Sequence, residues 1–296
     1  MVMVRMSPAL RRRLVPYTFV APLFIVLGLV LAYPLAFALY MSLHDWTLLT
    51  VAAGPPFIGL DNYARALQDR HLWNSALATA IFVTCAVAVE FVIGFAIALL
   101  LNRDFRGRNL VLTLIFLPFM VTNVVIGITF KLMYNYDWGV ANYLLLQLGL
   151  PALNWLGDTT TAMFGVIVAD AWNTSAFFAL ILFAGLRALP TGPFEAARID
   201  GASRVQTFFY VTLPLLKPII MVALLWRFVD TFKIFDVIYI LTGGGPARAT
   251  EVLSIYAFRT GFSHFDLGYA SAVSYLMTLV MVIVGWQYVR AMRREP

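Results

Sequence analysis

One long apolar stretch of this chain holds a cluster of polar side chains. Arg227, Asp230, Thr231 and Ile234 stand at i, i+3, i+4 and i+7, so on a helix they share one face. An arginine and an aspartate three residues apart can pair, which lowers the cost of taking both charges out of water. Two readings follow: a structural ion pair between packed helices, or a polar wall on a functional cavity. Ionisable residues in apolar segments of membrane-spanning length mark functional sites by default. Lys233 and Asp236 project from other faces of the same helix and are expected in structural pairs. Glu90, Lys131 and Asp170 also interrupt apolar runs. Glu90 and Asp170 suit buried hydrogen bonding, and no spacing rule assigns either a partner. Trp172 reads as a packing or interfacial aromatic rather than a ligand contact.

Covalent and metal chemistry find little support. His44, His71 and His264 are far apart and share no metal-ligand spacing. Cys85 is the one cysteine, so the chain cannot build an internal disulfide framework. A membrane-embedded enzyme would need a convergent set of acid, base and nucleophile, and none is visible. Gly243, Gly244 and Gly245 invite comparison with a phosphate cradle. Pro246 follows them, though, and no Lys-Ser/Thr pair does, so they are no P-loop. They read as the turn that ends an apolar span. No cofactor and no metal is expected.

These residues need elements to position them. The chain has 296 residues, of which 61% are hydrophobic and only 12% charged; a soluble domain usually carries about 25% charge. Such a deficit points to the bilayer as solvent. Six runs are long enough to cross a hydrocarbon core, which takes about 20 residues of helix: 15–43, 73–101, 110–134, 161–186, 213–241 and 267–289. Runs of this length without period-two alternation favour helices over a barrel. The first is longer than the roughly 7–15 apolar residues of a signal peptide and reads as a retained span. The expectation is an all-α integral membrane protein, one domain over 1–296.

Lysine and arginine set the orientation. Arg5, Arg11, Arg12, Arg13, Arg103, Arg106, Arg108, Arg187, Arg198, Arg204, Lys217, Arg290, Arg293 and Arg294 fall on one side. Only Arg65, Arg70, Arg248 and Arg259 fall on the other. Fourteen against four places both termini and the connection 187–212 in the cytoplasm. The connections 44–72, 135–160 and 242–266 then face outward. The net charge of +6 is explained by this bias, and no nucleic-acid partner is implied.

The connection 187–212 has its own signature. Leu189-Pro190-Thr191-Gly192-Pro193-Phe194 leads into Glu195-Ala196-Ala197-Arg198-Ile199-Asp200-Gly201-Ala202, and Thr212-Leu213-Pro214 follows. Physically this is helix, glycine turn, helix. Gly192 can cap, Pro193 suits the first helical position, and Glu195 complements the positive helix start. Gly201 lets the chain turn where a side chain would resist. Phe208 and Phe209 are expected to bury one face against neighbouring spans. Glu-Ala-Ala, three residues, Gly-Ala and a later Leu-Pro resemble the EAA loop of binding-protein-dependent ABC permeases. As in that family, the loop lies between the fourth and fifth of six spans.

The resemblance covers nearly the whole chain and is closest to the sugar permeases of the maltose, trehalose and glycerol-phosphate type. Pro22, Tyr33-Pro34, Gly59-Leu60-Asp61-Asn62-Tyr63, Leu117-Pro118 and Leu241-Thr242-Gly243-Gly244-Gly245-Pro246 carry it. Glu90-Phe91-Val92 and the run Arg227 to Asp236 are closest to the trehalose permeases. The resemblance implies the six-helix MetI-like fold of type I ABC importers in a bacterial cytoplasmic membrane. It implies a second permease subunit, giving a heterodimer, two cytoplasmic ATPase subunits and an extracytoplasmic sugar-binding protein. It gives the ATPase contact to Glu195, Ala196, Ala197, Asp200 and Gly201. It gives a sugar pathway to Phe119, Asn123, Asn173, Thr174, Phe177, Arg227 and Thr231, with Asp230 added on geometric grounds. Ile234 departs from the polar pattern at its position. An ion-coupled secondary transporter is the rival reading, and it has no use for an ATPase dock.

Overall fold

The computed structural model describes residues 19–293. The N-terminal arginines Arg5, Arg11, Arg12 and Arg13, residues 15–18 of the first expected span, and Arg294 lie outside the described residues. The described chain divides into two compact units, residues 19–68 with 257–275, and residues 69–256 with 276–293.

In the first unit, α1 (Phe19–Ser42) is a long apolar helix and α2 (Asp61–Gln68) a short amphipathic one. The Asn62 amide is buried and donates to the Ser42 carbonyl at 2.9 Å and the His44 carbonyl at 3.1 Å. This clamps the chain leaving α1 against α2. Arg65 bonds Asp266 at 2.7 Å and lies 4.0 Å above the Tyr269 ring.

The second unit holds the elements from α3 to α10, while α11 and α12 each have residues in both units. α3 (Arg70–Leu101) starts at Asp69, whose side chain accepts from the amides of His71 and Leu72. α4 (Arg108–Phe116) and a short turn over Pro118–Met120 precede α5 (Asn123–Met133). α6 (Val140–Gln147) lies in the following connection. α7 (Thr159–Ala188) is capped by Asp158. α8 (Gly192–Ile199) is the helix of the connection 187–212. α9 (Arg204–Phe232) is followed by α10 (Asp236–Leu241) and α11 (Leu253–Phe258). α12 (Leu267–Arg293) completes the chain. Among the described residues, five helices are long and apolar enough to cross a membrane, and the bent pair α4–α5 makes a sixth.

Two expected spans are not continuous. The run 110–134 bends by 93° between its halves. Pro118 has no N–H to donate, and Val121 and Thr122 adopt extended backbone. The run 213–241 stops at Phe232 and resumes at Asp236. The Ile234 carbonyl, freed by this break, accepts from the Ser254 hydroxyl. The fifth span also begins earlier than expected, at Arg204 instead of 213.

α3 and α7 pack closely because Gly94 lets them. A Cβ there would overlap the Phe178 Cβ and come within 2.7 Å of the Ser175 carbonyl and 2.9 Å of the Ala179 nitrogen. Two of those atoms are backbone, so the helices themselves would have to part. Overpacking of this kind costs about 1–3 kcal/mol. Gly94→Ala should therefore lower the thermal midpoint of the purified assembly, and an unchanged midpoint would contradict this packing.

Candidate substrate cavity and coupling loop

The two helix breaks face a common space. An open cavity of about 450 Å³ is walled by Phe119, Val121, Thr122 and Asn123 from the α4–α5 break. Asp170, Asn173 and Thr174 come from α7, and Trp226, Arg227 and Asp230 from α9. Lys233, Ile234, Phe235 and Asp236 come from the α9–α10 break. Non-helical backbone at membrane depth is tolerated where it is buried in protein or lines a cavity. The Asn173 amide donates to the Pro118 carbonyl at 2.5 Å and so serves one of the groups that the break releases.

Behind the cavity lies a buried ion network. Arg227 Nε donates to Glu90 Oε2 at 2.6 Å and Nη2 to Glu90 Oε1 at 2.8 Å. Nη2 also bonds Asp170, and Nη1 reaches Asp230 Oδ2 at 2.9 Å. Glu90, Asp170 and Arg227 are buried. The planar guanidinium suits this work, because it offers five donors in a fixed fork. It ties α3, α7 and α9 together and holds Asp230 at the cavity wall. The guanidinium is therefore largely occupied by carboxylates, and the Asp230 carboxylate and the Asn123 and Asn173 amides are among the polar groups lining the cavity beside it. Lys233 lies 3.6 Å from Asp230.

Of the expected pathway residues, Phe119, Asn123, Asn173, Thr174, Arg227 and Asp230 are brought together at this wall. Phe177 is not in the lining. It stands one layer back, stacked on Trp226 at 4.3 Å and on Phe119 at 6.2 Å. Thr231 does not reach the cavity: it is fully buried, and its hydroxyl donates to the Arg227 carbonyl at 2.7 Å. Lys233 and Asp236 were expected to point elsewhere and instead line the cavity, since α9 ends before them and the helical wheel no longer applies. Trp172 meets Phe130 edge-on at 5.6 Å and takes no part in the lining.

The loop 187–212 is built from local rules. Thr191 caps α8 without a side-chain hydrogen bond, and Gly192 and Pro193 are its first two residues; Gly192 was expected as the cap. The helix ends when the Ala202 amide reaches back to the Ala197 carbonyl at 2.9 Å and the Gly201 amide to the Arg198 carbonyl at 3.2 Å. Gly201 sits at φ +74. This is a Schellman termination, in which the left-handed position favours glycine. Ser203 and Gln206 then form a reciprocal cap for α9. Ala197 is buried, whereas Glu195, Ala196, Asp200 and Gly201 are exposed. Phe208 packs on Phe95 at 5.7 Å, but Phe209 is exposed instead of buried. Nearby, Arg187 at the end of α7 bonds Asp104 at 3.0 Å, and Arg108 does the same. The Arg187 hydrogen bond is the main cause holding the Asp104 carboxyl below its ordinary pKa.

Comparison with known proteins gives this geometry a context. The family described as "Binding-protein-dependent transport system inner membrane component" matches residues 90–294. The trehalose/maltose transport system permease protein MalF of Thermococcus litoralis is 40% identical over 267 residues, covering 90% of this chain and 89% of that protein. The trehalose transport system permease protein SugA of Mycobacterium tuberculosis is 34% identical over 286 residues, covering 97% and 91%. Among solved structures, a chain of a bacterial alginate ABC transporter in complex with alginate pentasaccharide-bound periplasmic protein superposes with a TM-score of 0.83. Its identity is 22%, with 98% of both chains covered.

Proposed function

This chain belongs to the family of binding-protein-dependent transport system inner membrane components, and from that premise we propose that it carries a disaccharide of the trehalose or maltose kind across the bacterial cytoplasmic membrane. It has the all-helical MetI-like permease fold and is a transport permease, not an enzyme. In the proposed cycle an extracytoplasmic binding protein delivers the sugar and a second permease subunit completes the pathway. Two cytoplasmic ATPase subunits drive it through the loop 187–212. Both termini lie on the cytoplasmic side, in keeping with the arginine and lysine bias.

The observation that carries the sugar reading is the cavity wall. Asn123, Asn173, Thr174 and Asp230 mix donors and acceptors, and Phe119 and Trp226 add aromatic faces. A disaccharide presents hydroxyls that both donate and accept, and ring faces that stack. The α8 helix exposes Glu195, Ala196 and Ile199. That surface supports a dock for the ATPase subunit.

Two substitutions separate the wall from its support. Asn123 is the first residue of α5 and exposed to the cavity. Asn123→Ala should remove a sugar hydrogen bond worth about 0.5–1.5 kcal/mol, and so lower transport efficiency by roughly two- to ten-fold. Thr231→Val removes a hydroxyl that serves only its own helix, and uptake should stay near wild type. Radiolabelled trehalose and maltose uptake, measured alongside sugar affinity of the binding protein, checks both. A transport loss confined to Thr231→Val would reverse the assignment of wall and support.

A further inference from the structure

The connection between α5 and α7 has no Asp, Glu, Lys or Arg from Trp138 to Gly157, yet the structure leaves much of it uncovered. Trp138, Tyr143, Leu144, Leu146, Leu148 and Leu150 are each 50–75% exposed. Within α6 only Asn142 is buried, and it fixes the segment rigidly. Its amide nitrogen donates to the Tyr136 carbonyl at 3.2 Å and the Leu153 carbonyl at 3.0 Å. Its oxygen accepts from the Leu153 amide at 3.0 Å and the Trp155 indole at 2.9 Å. A rigid apolar surface of this extent in water is an aggregation liability, so something covers it.

Three observations identify the cover. First, α6 has eight residues, about 12 Å of helix, too short to cross a hydrocarbon core of about 30 Å. Second, α7 has 30 residues, about 45 Å, which matches the bilayer with its headgroup regions. The segment that leads into α7 is therefore held at a membrane–water boundary, on the side opposite α8. Third, the uncovered surface continues into the span: Trp155 stacks on Phe164, which lies within α7 and is itself exposed. Tryptophan and tyrosine beside leucines are the side chains that settle at this depth, apolar body inward and polar tip toward the headgroups. A protein docking site normally has a polar rim around its apolar centre, and the exposed side chains of 138–150 offer little toward one beyond Gln147 and the Tyr143 hydroxyl.

We propose that residues 138–150 form an in-plane anchor, with α6 lying in the headgroup–acyl boundary of the leaflet away from α8. Its partner is the lipid surface itself, without headgroup selectivity, since the segment carries no charge. The anchor steadies the entrance of α7, the helix that supplies Asp170, Asn173 and Thr174 to the cavity.

Spin labelling tests this directly. Cys85 is the one cysteine, so a Cys85→Ser background with Leu146→Cys takes a single nitroxide. The assembled transporter is placed in nanodiscs of phosphatidylcholine, then of phosphatidylcholine with phosphatidylglycerol. The expected label collides several-fold more with oxygen than with a water-soluble nickel chelate, equally in both lipids, and the binding protein leaves the ratio unchanged. Preferred access to nickel would place the helix in water and overturn the proposal. Loss of access to both reagents would show a protein cover and overturn it as well. Sugar uptake by the labelled protein confirms assembly, so failure of the anchor and failure of the transport reading give different results.

Discussion

Arg227→Leu is expected to abolish the assembled transporter. The substitution leaves Glu90 and Asp170 buried without the guanidinium that both now share. Breaking a buried ion pair by removing one partner costs about 3–5 kcal/mol, and here two buried carboxylates lose the same partner. Stabilities of folded proteins are themselves only about 5–15 kcal/mol, so the loss is a large share of the whole. Arg227→Lys should recover little, because an ammonium cannot reproduce a planar fork that reaches Glu90 through two nitrogens. The informative control is Arg227→Leu with Glu90→Leu and Asp170→Leu. Replacing a buried ionic cluster by apolar groups of similar volume is often neutral or stabilising. The triple variant should therefore return to the membrane in assembled form while its transport stays impaired, since the cavity loses Asp170 and the support of Asp230. Quantifying assembly by size-exclusion of the purified complex checks both. Normal assembly of Arg227→Leu alone would contradict the network.

Gly201→Val is expected to uncouple the transporter without removing it. Gly201 sits at φ +74 with nothing within 4 Å of an added Cβ, so the obstacle is conformational and not steric crowding. A side chain in the left-handed region costs about 1–2 kcal/mol, and a β-branched one is the least suited to it. The Schellman closure then opens, and Asp200 and Ala202 leave their positions at the end of α8. Under the proposed coupling role, sugar-stimulated ATP hydrolysis and uptake both fall by an order of magnitude or more. The complex remains in the membrane, because the site lies outside the spans. Gly201→Asn should retain most activity, since asparagine tolerates the left-handed region. Equal losses from asparagine and valine would mean that bulk at the docking surface, not the turn, controls coupling.

Much of the architecture was legible in the sequence, and the reasons are physical. Long apolar runs announce spans because hydrocarbon excludes charge. The loop 187–212 is legible because its proline start and glycine stop are local interactions within a dozen residues, although its cap falls at Thr191, one residue before the expected Gly192. The breaks before Asn123 and at Lys233–Phe235 were not. The first is flanked by apolar residues, so hydropathy passes across it unchanged; the second carries Lys233 between Asp230 and Asp236, charges that also fit separate faces of one continuous helix. Proline alone does not mark such a break: Pro118 lies at one, while Pro218 sits inside the continuous helix α9. Lys233 and Asp236 were misplaced for the same reason, being assigned to a helix that had already ended. Glu90 and Asp170 stood out as single acids in apolar runs, but their shared partner is 137 and 57 residues away, and no spacing rule links different helices. Thr231 shared a face with Arg227, yet its hydroxyl turned back to its own helix, a satisfaction that position alone does not reveal.

The central claim is that this chain is a sugar pathway powered by a separate ATPase. Its most direct test is uptake of labelled trehalose or maltose into liposomes holding the chain with its partner permease and two ATPase subunits. ATP is supplied on the cytoplasmic face and the binding protein on the other. The account predicts accumulation that stops when the ATPase subunits, ATP or the binding protein is withheld. Sugar accumulation by the chain without the ATPase subunits, driven by a proton or sodium gradient, would contradict it.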